Sequence, residues 1–438
     1  MMTISRASRT MTAIVFAGVV SAGVLPGPVT SFASGSTEVQ RVARHRYRLA
    51  AGVTLTTIRY PRAPNEVRVL TLTQGHGPVA DVLPAGPAYP SYTVPSRLAW
   101  AAGALGAVND DFSVHGVPKH LSLIDGELWT TGVQPGGPGF GFTQDGRRAF
   151  VDVPDPLITA LPAGRPAFTI DRWNAGVPRK GQIGAFSLRG GSVERPPGDD
   201  SPTASSPRWC AARLTPSGPI EWVGPKLDRL GRSYVVDAQP EPCPKTRMSR
   251  GTVGGTVVLA SHATDGDASI LPLHAGQTIL LRWSLRGGSR TVDFIGGTPM
   301  LVHNGRNVGP GFHPGDPYIF NFNPRTAVGI TKGCQDTTKD TICTVFLVTV
   351  DGRQDHWSRG MRFPDLGRLM IRLGADDAVN LDGGGSTEAW VRERRPAYCQ
   401  RKTVVGGCVA DRPSDGHERP AVMALALLPR ADPGDPPR

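Results

Sequence analysis

Short stretches in which apolar and polar residues alternate recur along this chain, separated by glycine and proline. The alternation is clear at residues 52–58, 67–72, 278–285 and 344–350, and it is typical of strands with one buried face. The chain contains 54 glycines and 41 prolines, which favour many turns. We therefore predict an α+β protein with a strand-rich mixed sheet core, few helices and a loop-rich insertion.

The 438 residues are more than one small core usually organises. We predict one domain over residues 34–430, followed by a flexible tail at 431–438. Proline, serine and glycine accumulate between about residues 190 and 250, where the loop-rich insertion is expected. Two helices are predicted, one over 97–105 with Ser96 as its N-cap and one over 365–373 that ends at Gly374.

Residues 1–33 have the pattern of a secretory signal peptide. Two arginines precede an apolar stretch over residues 11–29, and residues 31–33 supply small side chains at the two positions that a signal peptidase reads. Two prolines interrupt the apolar stretch, which argues against an uncleaved membrane anchor. We expect cleavage after Ala33, a secreted or extracytoplasmic protein, and no stable membrane span after cleavage.

The net positive charge of the chain favours an anionic partner, and the distribution of the charges favours a phosphorylated glycan over a nucleic acid. There are 48 lysines and arginines against 37 aspartates and glutamates, a formal charge of +11. Most of the cations are arginines, which are scattered without a polybasic run or an aromatic–basic repeat, so we predict no nucleic-acid partner. A phosphate-bearing cell-surface glycan fits the same charge.

All six cysteines lie in the second half of the chain. An even number of cysteines in an exported chain indicates disulfides rather than metal ligands. Their spacing in the sequence leaves several pairings open, and proximity favours Cys210–Cys243, Cys334–Cys343 and Cys399–Cys408.

The most informative motif is LDGGGST at residues 381–387. A strand-like run at 378–381 ends at Asp382, and the three glycines that follow allow left-handed backbone conformations and bring bare N–H groups close to a ligand. Such a loop suits a phosphate or a sugar beside an acid. The structural alternative is an Asp-Gly hairpin turn, but a turn of that kind does not need three successive glycines.

Five segments carry a family resemblance that covers roughly residues 50–430: AVNDDF at 107–112, GGTPMLVHNG at 296–305, PRTAVGIT at 324–331, TVDGR at 349–353 and DLGRLMIRLGADDAVNLDGGGST at 365–387. In this order they resemble the phosphodiester glycosidase family, and LDGGGS and RTAVG are the specific parts. The family usually has an Asn-Gly-Gly-Phe-Phe-like run where this chain has Asn109-Asp110-Asp111-Phe112-Ser113. The two extra negative charges are expected near the site.

The resemblance implies hydrolysis of a sugar that is linked through its anomeric oxygen to a phosphodiester, which releases the sugar and leaves a phosphomonoester. A phosphomonoester is a good leaving group, so strong general-acid help is less necessary than in an ordinary glycosidase. The reaction still needs a cation for the departing phosphate and an anion for the oxocarbenium-like sugar.

Within the resembling segments, four residues are predicted to be catalytic. Arg325 would clamp the phosphate through two N–H groups, and Asp382 would act as nucleophile, base or electrostatic partner. Asn109 and Asp110 would hold sugar hydroxyls or assist acid–base steps. The structural alternatives are a surface ion pair for Arg325 and a solvated turn for Asp110 and Asp111.

The same segments supply the predicted substrate-binding residues, which are Asn380, Gly383, Gly384, Gly385, Ser386, Thr326 and Arg419. For Thr326 and Ser386 the alternative is local hydrogen bonding within the loops. Arg419 is included because family members often carry an arginine before the final strand.

No cofactor is required by the sequence, and the metal site, if there is one, is unknown. The carboxylates of Asp110, Asp111, Asp351 and Asp382 could together hold a divalent cation through oxygen ligands. None of the histidines near the motifs has a metal-ligand spacing, and we predict surface positions for them: His115, His120, His303 and His356.

Two alternative functions stay open at this point. The first is a metal-assisted phosphodiesterase that attacks phosphorus rather than the sugar carbon. The second is a non-catalytic protein that binds surface glycans and keeps the fold. The glycosidase is the hypothesis that the sequence favours.

Overall fold

The structure is a computed structural model. It describes residues 42–61, 64–143, 146, 148–176, 178–179, 181–190, 209–237, 241–245, 255–262, 270, 272–286, 290–308, 316–335 and 342–429. All of these residues belong to one compact unit. The predicted signal peptide at 1–33 and the predicted tail at 431–438 lie outside the described residues.

An eight-stranded antiparallel sheet carries most of the family-like segments. With the strands numbered in chain order, its members lie in the order β1 (Ala43–Ala50), β2 (Val53–Tyr60), β3 (Asn65–Thr73), β25 (Thr344–Val350), β24 (Arg325–Ile330), β26 (Asp377–Asn380), β22 (Met300–His303) and β23 (Arg306–Asn307). β25, β24 and β26 are almost completely buried. Valine and isoleucine dominate the apolar positions of these central strands, as their preference for buried pleated surfaces predicts.

A six-stranded sheet packs against the first one. Its strands lie in the order β28 (Arg401–Lys402), β29 (Cys408–Val409), β27 (Ala389–Val391), β5 (Gly106–Asn109), β30 (Met423–Leu428) and β4 (Val79–Pro84). One apolar cluster joins the two sheets through residues such as Leu70, Val328, Leu381 and Leu425. The interface between these sheets is therefore the main core of the molecule.

A nine-stranded sheet forms a second core. It runs in the order β13 (Phe168–Thr169), β12 (Asp155–Pro162), β20 (Thr278–Arg286), β17 (Arg229–Val236), β16 (Trp209–Val223), β19 (Val257–His262), β15 (Ile183–Ser187) and β14 (Arg172–Trp173), and β18 (Glu241–Lys245) pairs with β16. Residues such as Leu214, Leu259 and Leu281 fill this core. Only β14 and β15, among the described pairs, run parallel.

The two remaining sheets are smaller. A five-stranded sheet has the order β11 (Ala149–Asp152), β10 (Gly139–Thr143), β21 (Thr291–Gly296), β8 (Ser122–Ile124) and β9 (Glu127–Thr130). A short hairpin pairs β6 (Ser113–Val114) with β7 (Val117–Pro118). The strand-rich α+β class is confirmed, and its sheets are almost entirely antiparallel.

Part of the predicted loop-rich insertion forms strands instead of loops. Residues 209–223 and 229–236 form two long paired strands, β16 and β17, in the middle of the nine-stranded sheet. β16 contains Pro216 and Gly218, and the register shifts between Pro216 and Ile220. This irregularity accommodates residues that are unusual in a strand. Residues 191–208 and 246–250 lie outside the described part.

Three α-helices occur among the described residues: α1 (Pro95–Ala101), α2 (Pro317–Phe320) and α3 (Phe363–Leu373). α3 confirms the predicted second helix, and Gly374 ends it in the left-handed conformation, with φ of 102°. α1 is shorter than predicted, and its N-cap is Val94 rather than Ser96, which is buried. No described helix has the length and apolar character needed to cross a membrane.

Two of the three predicted disulfides lie among the described side chains. Cys334 is bonded to Cys343, and Cys399 to Cys408. Cys210 is also disulfide-bonded, but the side chain of Cys243 lies outside the described part. The confirmed bridges each close a short loop beside the main core.

Candidate active site

The LDGGGST loop meets two other segments through backbone hydrogen bonds. β24 and β26 run antiparallel with Ala327 opposite Asn380, so β24 begins beside the end of β26. The N–H of Leu381 donates to the carbonyl oxygen of Thr326 at 2.9 Å, and the N–H of Asp382 donates to that of Asp110 at 2.8 Å. The two sheets therefore bring the segments around residues 110, 325 and 382 together.

The Asn109 side chain joins these segments and is fully buried. Its Oδ1 accepts hydrogen bonds from Thr326 Oγ1 at 2.7 Å and from the N–H of Glu388 at 3.2 Å, and its Nδ2 donates to the carbonyl oxygen of Asp382 at 2.8 Å. A buried amide that is satisfied in this way holds the protein backbone in place. The geometry gives Asn109 and Thr326 positioning roles.

Asp382 is a partly buried carboxyl group at the centre of the arrangement. Burial raises its pKa to about 6, and the negative charge of Asp111 acts in the same direction. Hydrogen bonds from Ser386 and from the N–H of Gly383, together with the charge of Arg419, oppose this rise. A carboxyl group with a pKa in this range can change its protonation state near neutral pH.

Asp110 and Asp111 are both buried, so the solvated-turn alternative is wrong. Asp110 Oδ2 accepts hydrogen bonds from the N–H groups of Val422 and Met423, at 3.1 and 2.8 Å. Burial raises the pKa of Asp110 well above its ordinary value, and the charge of Asp382 adds to the rise.

His120 is a residue that sequence reasoning placed on the surface, and the structure corrects this prediction. It is only 4% exposed, and its Nδ1 lies 2.9 Å from Asp111 Oδ1 and 3.0 Å from Oδ2. The N–H of His120 also donates to Asp111 Oδ2. The extra aspartate of the family-like segment thus has a histidine partner.

Arg325 begins β24, and its guanidinium donates hydrogen bonds to backbone carbonyl oxygens. Nε donates to the carbonyl oxygen of Met361 at 2.9 Å, and Nη2 donates to those of Tyr318 and Asn321 at 3.0 and 3.1 Å. The guanidinium lies 3.8 Å from the ring centroid of Phe363. Burial lowers the pKa of Arg325 to about 10. Nη1 makes none of these bonds, and no described carboxylate pairs with Arg325.

Two more exposed arginines lie against the glycines of the loop. A Cβ atom on Gly385 would overlap Arg419 and Asp415, which form an ion pair, and one on Gly384 would lie 3.2 Å from Nη2 of Arg353. Nη1 of Arg419 donates to Ser386 Oγ at 3.5 Å. Arg353 lies in the quoted TVDGR segment, which could have identified it, but no role was predicted for it from the sequence.

The remaining predicted substrate-binding residues lie in the same loop. Gly383 packs against the carbonyl oxygen of Pro324, and Gly384 has a φ of 60°, which favours glycine. Asn380 is fully buried, and its Nδ2 donates to the carbonyl oxygen of Thr298 at 2.8 Å. The nearby backbone therefore limits a side chain at Gly383, and the backbone conformation limits one at Gly384.

The four aspartates grouped in the sequence as a cation site do not all face one another. Asp351 accepts from Trp357 Nε1 at 2.5 Å and from the N–H of Arg412 at 3.2 Å. Among the described residues, the carboxylates whose oxygens converge are those of Asp81, Asp125 and Asp293. The predicted divalent-cation site at Asp110, Asp111, Asp351 and Asp382 therefore lacks a shared centre.

Part of this chain is similar to a known protein family. Residues 233–428 match the model of the phosphodiester glycosidase family. The match contains RTAVG, VDGR and LDGGGS, so the resemblance is confirmed over this segment. The Asn109–Asp111 segment lies outside it. No curated protein matches the chain.

Solved structures show the same fold. A hypothetical protein from Synechocystis is 15% identical with a TM-score of 0.62, and the similarity covers 89% of this chain and 64% of that one. A protein from Burkholderia pseudomallei that is named as exported is 21% identical with a TM-score of 0.56, over 84% and 74% of the two chains. The chain thus spans less than two thirds of the Synechocystis protein.

A zebrafish structure also matches. It is the catalytic domain of N-acetylglucosamine-1-phosphodiester alpha-N-acetylglucosaminidase, auto-inhibited by its pro-peptide, with 14% identity and a TM-score of 0.42. The similarity covers 90% of this chain and 85% of that one.

Proposed function

We propose that this protein is a secreted glycosidase that hydrolyses a sugar-1-phosphodiester, releases the sugar and leaves a phosphomonoester. One observation carries the proposal. A partly buried carboxyl group, Asp382, and two arginines, Arg353 and Arg419, lie around one glycine loop. Opposite charges around one loop suit a substrate that develops positive charge on a sugar and negative charge on a phosphate.

Each group has a role in this reaction. Ionised Asp382 stabilises the oxocarbenium-like sugar, while Arg353 and Arg419 bind the phosphate, with Nη1 of Arg325 as a further donor. The bare backbone of Gly383, Gly384 and Gly385 lets the phosphate approach closely. Asp110, whose raised pKa favours its protonated form, can donate a hydrogen bond to a sugar hydroxyl.

The family match over residues 233–428 supports this class of reaction. The predicted signal peptide and the disulfides support a secreted or extracytoplasmic location. The substrate we propose is a phosphorylated glycan, such as a bacterial-type surface glycan or a scavenged glycoconjugate, and no nucleic acid. The proposed reaction requires no cofactor, and dialysis against a chelator tests whether a divalent cation contributes.

A panel of sugar-1-phosphodiesters, assayed in heavy-oxygen water with the products resolved by mass, tests the proposal. Label in the sugar is expected, because the proposed reaction breaks the bond between the anomeric carbon and oxygen. Label in the phosphate would instead show a phosphodiesterase. Saturable binding without turnover would show a glycan-binding protein. Asp382→Asn should lower turnover by roughly a thousandfold, and Asp152→Asn, which changes an exposed acid on β11, should not lower it.

A further inference from the structure

Asp111 and His120 form a buried pair that has no role in the reaction as described above. Asp111 binds both the ring Nδ1 and the backbone N–H of His120. Three glycines from other parts of the chain pack on the histidine. A Cβ atom on Gly137 or Gly296 would overlap the side chain of His120, and one on Gly132 would lie 2.5 Å from its backbone. The imidazole is therefore held in one place.

The Asp111 carboxylate also selects the proton position on the ring. A carboxylate accepts hydrogen bonds, so Nδ1 carries a proton and the neutral imidazole has its lone pair on Nε2. Nε2 makes no hydrogen bond to any described residue. Its lone pair can therefore accept a proton from a water molecule that reaches it.

The pair lies beside the site built around Asp382. Asp111 raises the pKa values of Asp382 and Tyr318, so its charge reaches both groups. Asp111 and His120 pack against Gly296. Two residues later, the N–H of Thr298 donates to the carbonyl oxygen of Asn380 at 2.8 Å. Among the described acidic groups, Asp110 and Asp382 lie near the pair. The ring of Phe112, next to Asp111, packs against that of Tyr318 on α2.

We propose that His120, held by Asp111, is the general base that activates the hydrolytic water in this protein. The proposal rests on the proposed glycosidase function. Nε2 removes a proton from water as the water oxygen bonds to the anomeric carbon, and the bond from that carbon to the phosphate oxygen breaks. The electron pair stays on the phosphate, and Asp111 stabilises the imidazolium until it releases its proton to solvent.

A second histidine–aspartate pair, His303 with Asp377, provides a matched control. His303 also binds an aspartate through Nδ1, at 3.0 Å from Asp377, but its side chain is 55% exposed. Asp377 begins β26, whereas Asp382 follows its end. His303→Gln therefore removes the same kind of contact at the other end of the strand, away from the glycine loop.

The test measures kcat and KM for the best phosphodiester with His120→Gln, Asp111→Asn and His303→Gln. Loss of a general base should lower kcat by roughly a hundredfold or more while KM changes little. Asp111→Asn should also lower kcat, because an amide no longer stabilises the imidazolium. His303→Gln should match the unmodified protein.

Imidazole rescue separates catalysis from a structural role. Added imidazole should restore turnover of His120→Ala in proportion to its unprotonated fraction. Should His120→Gln keep its kcat within a few-fold, or should imidazole fail to restore a correctly folded His120→Ala, the base assignment is wrong while the glycosidase function stands. If the unmodified protein hydrolyses no phosphodiester, the proposed function itself fails.

Discussion

The backbone N–H of Asp382 donates a 2.8 Å hydrogen bond to the carbonyl oxygen of Asp110. The bond joins the ends of two strands from different sheets, β26 and β5. It places the buried carboxyl group of Asp110 near the partly buried one of Asp382, and each group has a raised pKa. Because two neighbouring carboxylates repel each other, the second is harder to ionise than the first. This relationship determines how the site should respond to pH.

Asp382→Asn should lower activity and raise stability at neutral pH. The pKa of Asp382 is about 6 in the folded protein against an ordinary value of 3.8, so the folded state holds the proton more tightly. The stability that this proton contributes is therefore complete below about pH 4 and is lost as pH rises through 6. Asparagine does not titrate and avoids that loss, which is worth roughly 2–3 kcal/mol at most.

Urea denaturation of both proteins at pH 4 and pH 7.5 measures this difference. The variant should be the more stable protein at pH 7.5, and the gap should close at pH 4. Turnover at pH 7.5 should fall by roughly a thousandfold. A variant that is less stable at pH 7.5 would show that the carboxylate is structural.

Arg419→Gln should move the acid limb of the pH–activity profile to higher pH. The charge of Arg419 lowers the pKa of Asp382, so its removal raises that pKa further. The profile of kcat/KM against pH measures the change, and kcat/KM at its optimum should also fall roughly ten- to a hundredfold as a phosphate contact is lost. Arg368→Gln, which removes an ion-paired arginine from α3, should leave the profile in place. An unmoved acid limb would argue against Asp382 as the titrating group.

Gly385→Ala should weaken substrate binding without unfolding the protein. The added Cβ atom would overlap the Arg419–Asp415 ion pair, which must shift. The pair is partly exposed, so its displacement should cost roughly 1 kcal/mol or less in stability. Gly218→Ala is the control, because nothing lies within 4 Å of its Cβ position. Unchanged KM and kcat in Gly385→Ala would mean that the loop does not contact substrate.

Thr326→Val and Thr349→Val should have opposite effects on stability. The two threonines lie opposite each other on β24 and β25. Thr326 donates to Asn109 Oδ1 at 2.7 Å, while the buried Oγ1 of Thr349 has no partner among the described residues. Thr326→Val should therefore cost about 1–2 kcal/mol, and Thr349→Val should be neutral or stabilising. Equal denaturation midpoints for the two variants would contradict the positioning role of Thr326.

Arg325→Lys should destabilise the fold as well as reduce activity. A lysine ammonium cannot reach the carbonyl oxygens of Met361, Tyr318 and Asn321 while it stacks on Phe363. We expect a loss of roughly 2 kcal/mol, measured by urea denaturation. A variant with unchanged stability and a raised KM would show that Arg325 serves the phosphate alone.

Local patterns predicted much of the fold correctly. β3, β20 and β25 alternate or run apolar over nearly the residues that form them, and α3 ends at the glycine that its pattern indicated. β16 was not predicted, because its proline and glycine residues disfavour a strand and its pairing with β17, β18 and β19 keeps it extended. In that segment tertiary pairing outweighs local preference.

Some features of the site could be predicted from the local sequence, and others depend on tertiary packing. The linear order of residues was enough to identify the acid of LDGGGST, the arginine-bearing segments and two disulfides, because those signals depend on neighbours in the chain. The burial of Asp110, the use of Arg325 by carbonyl groups and the enclosure of His120 depend on residues far away in the sequence. Desolvation and hydrogen bonding are properties of the packed surroundings, so the pKa values and the partners of these groups emerge only when the sheets come together.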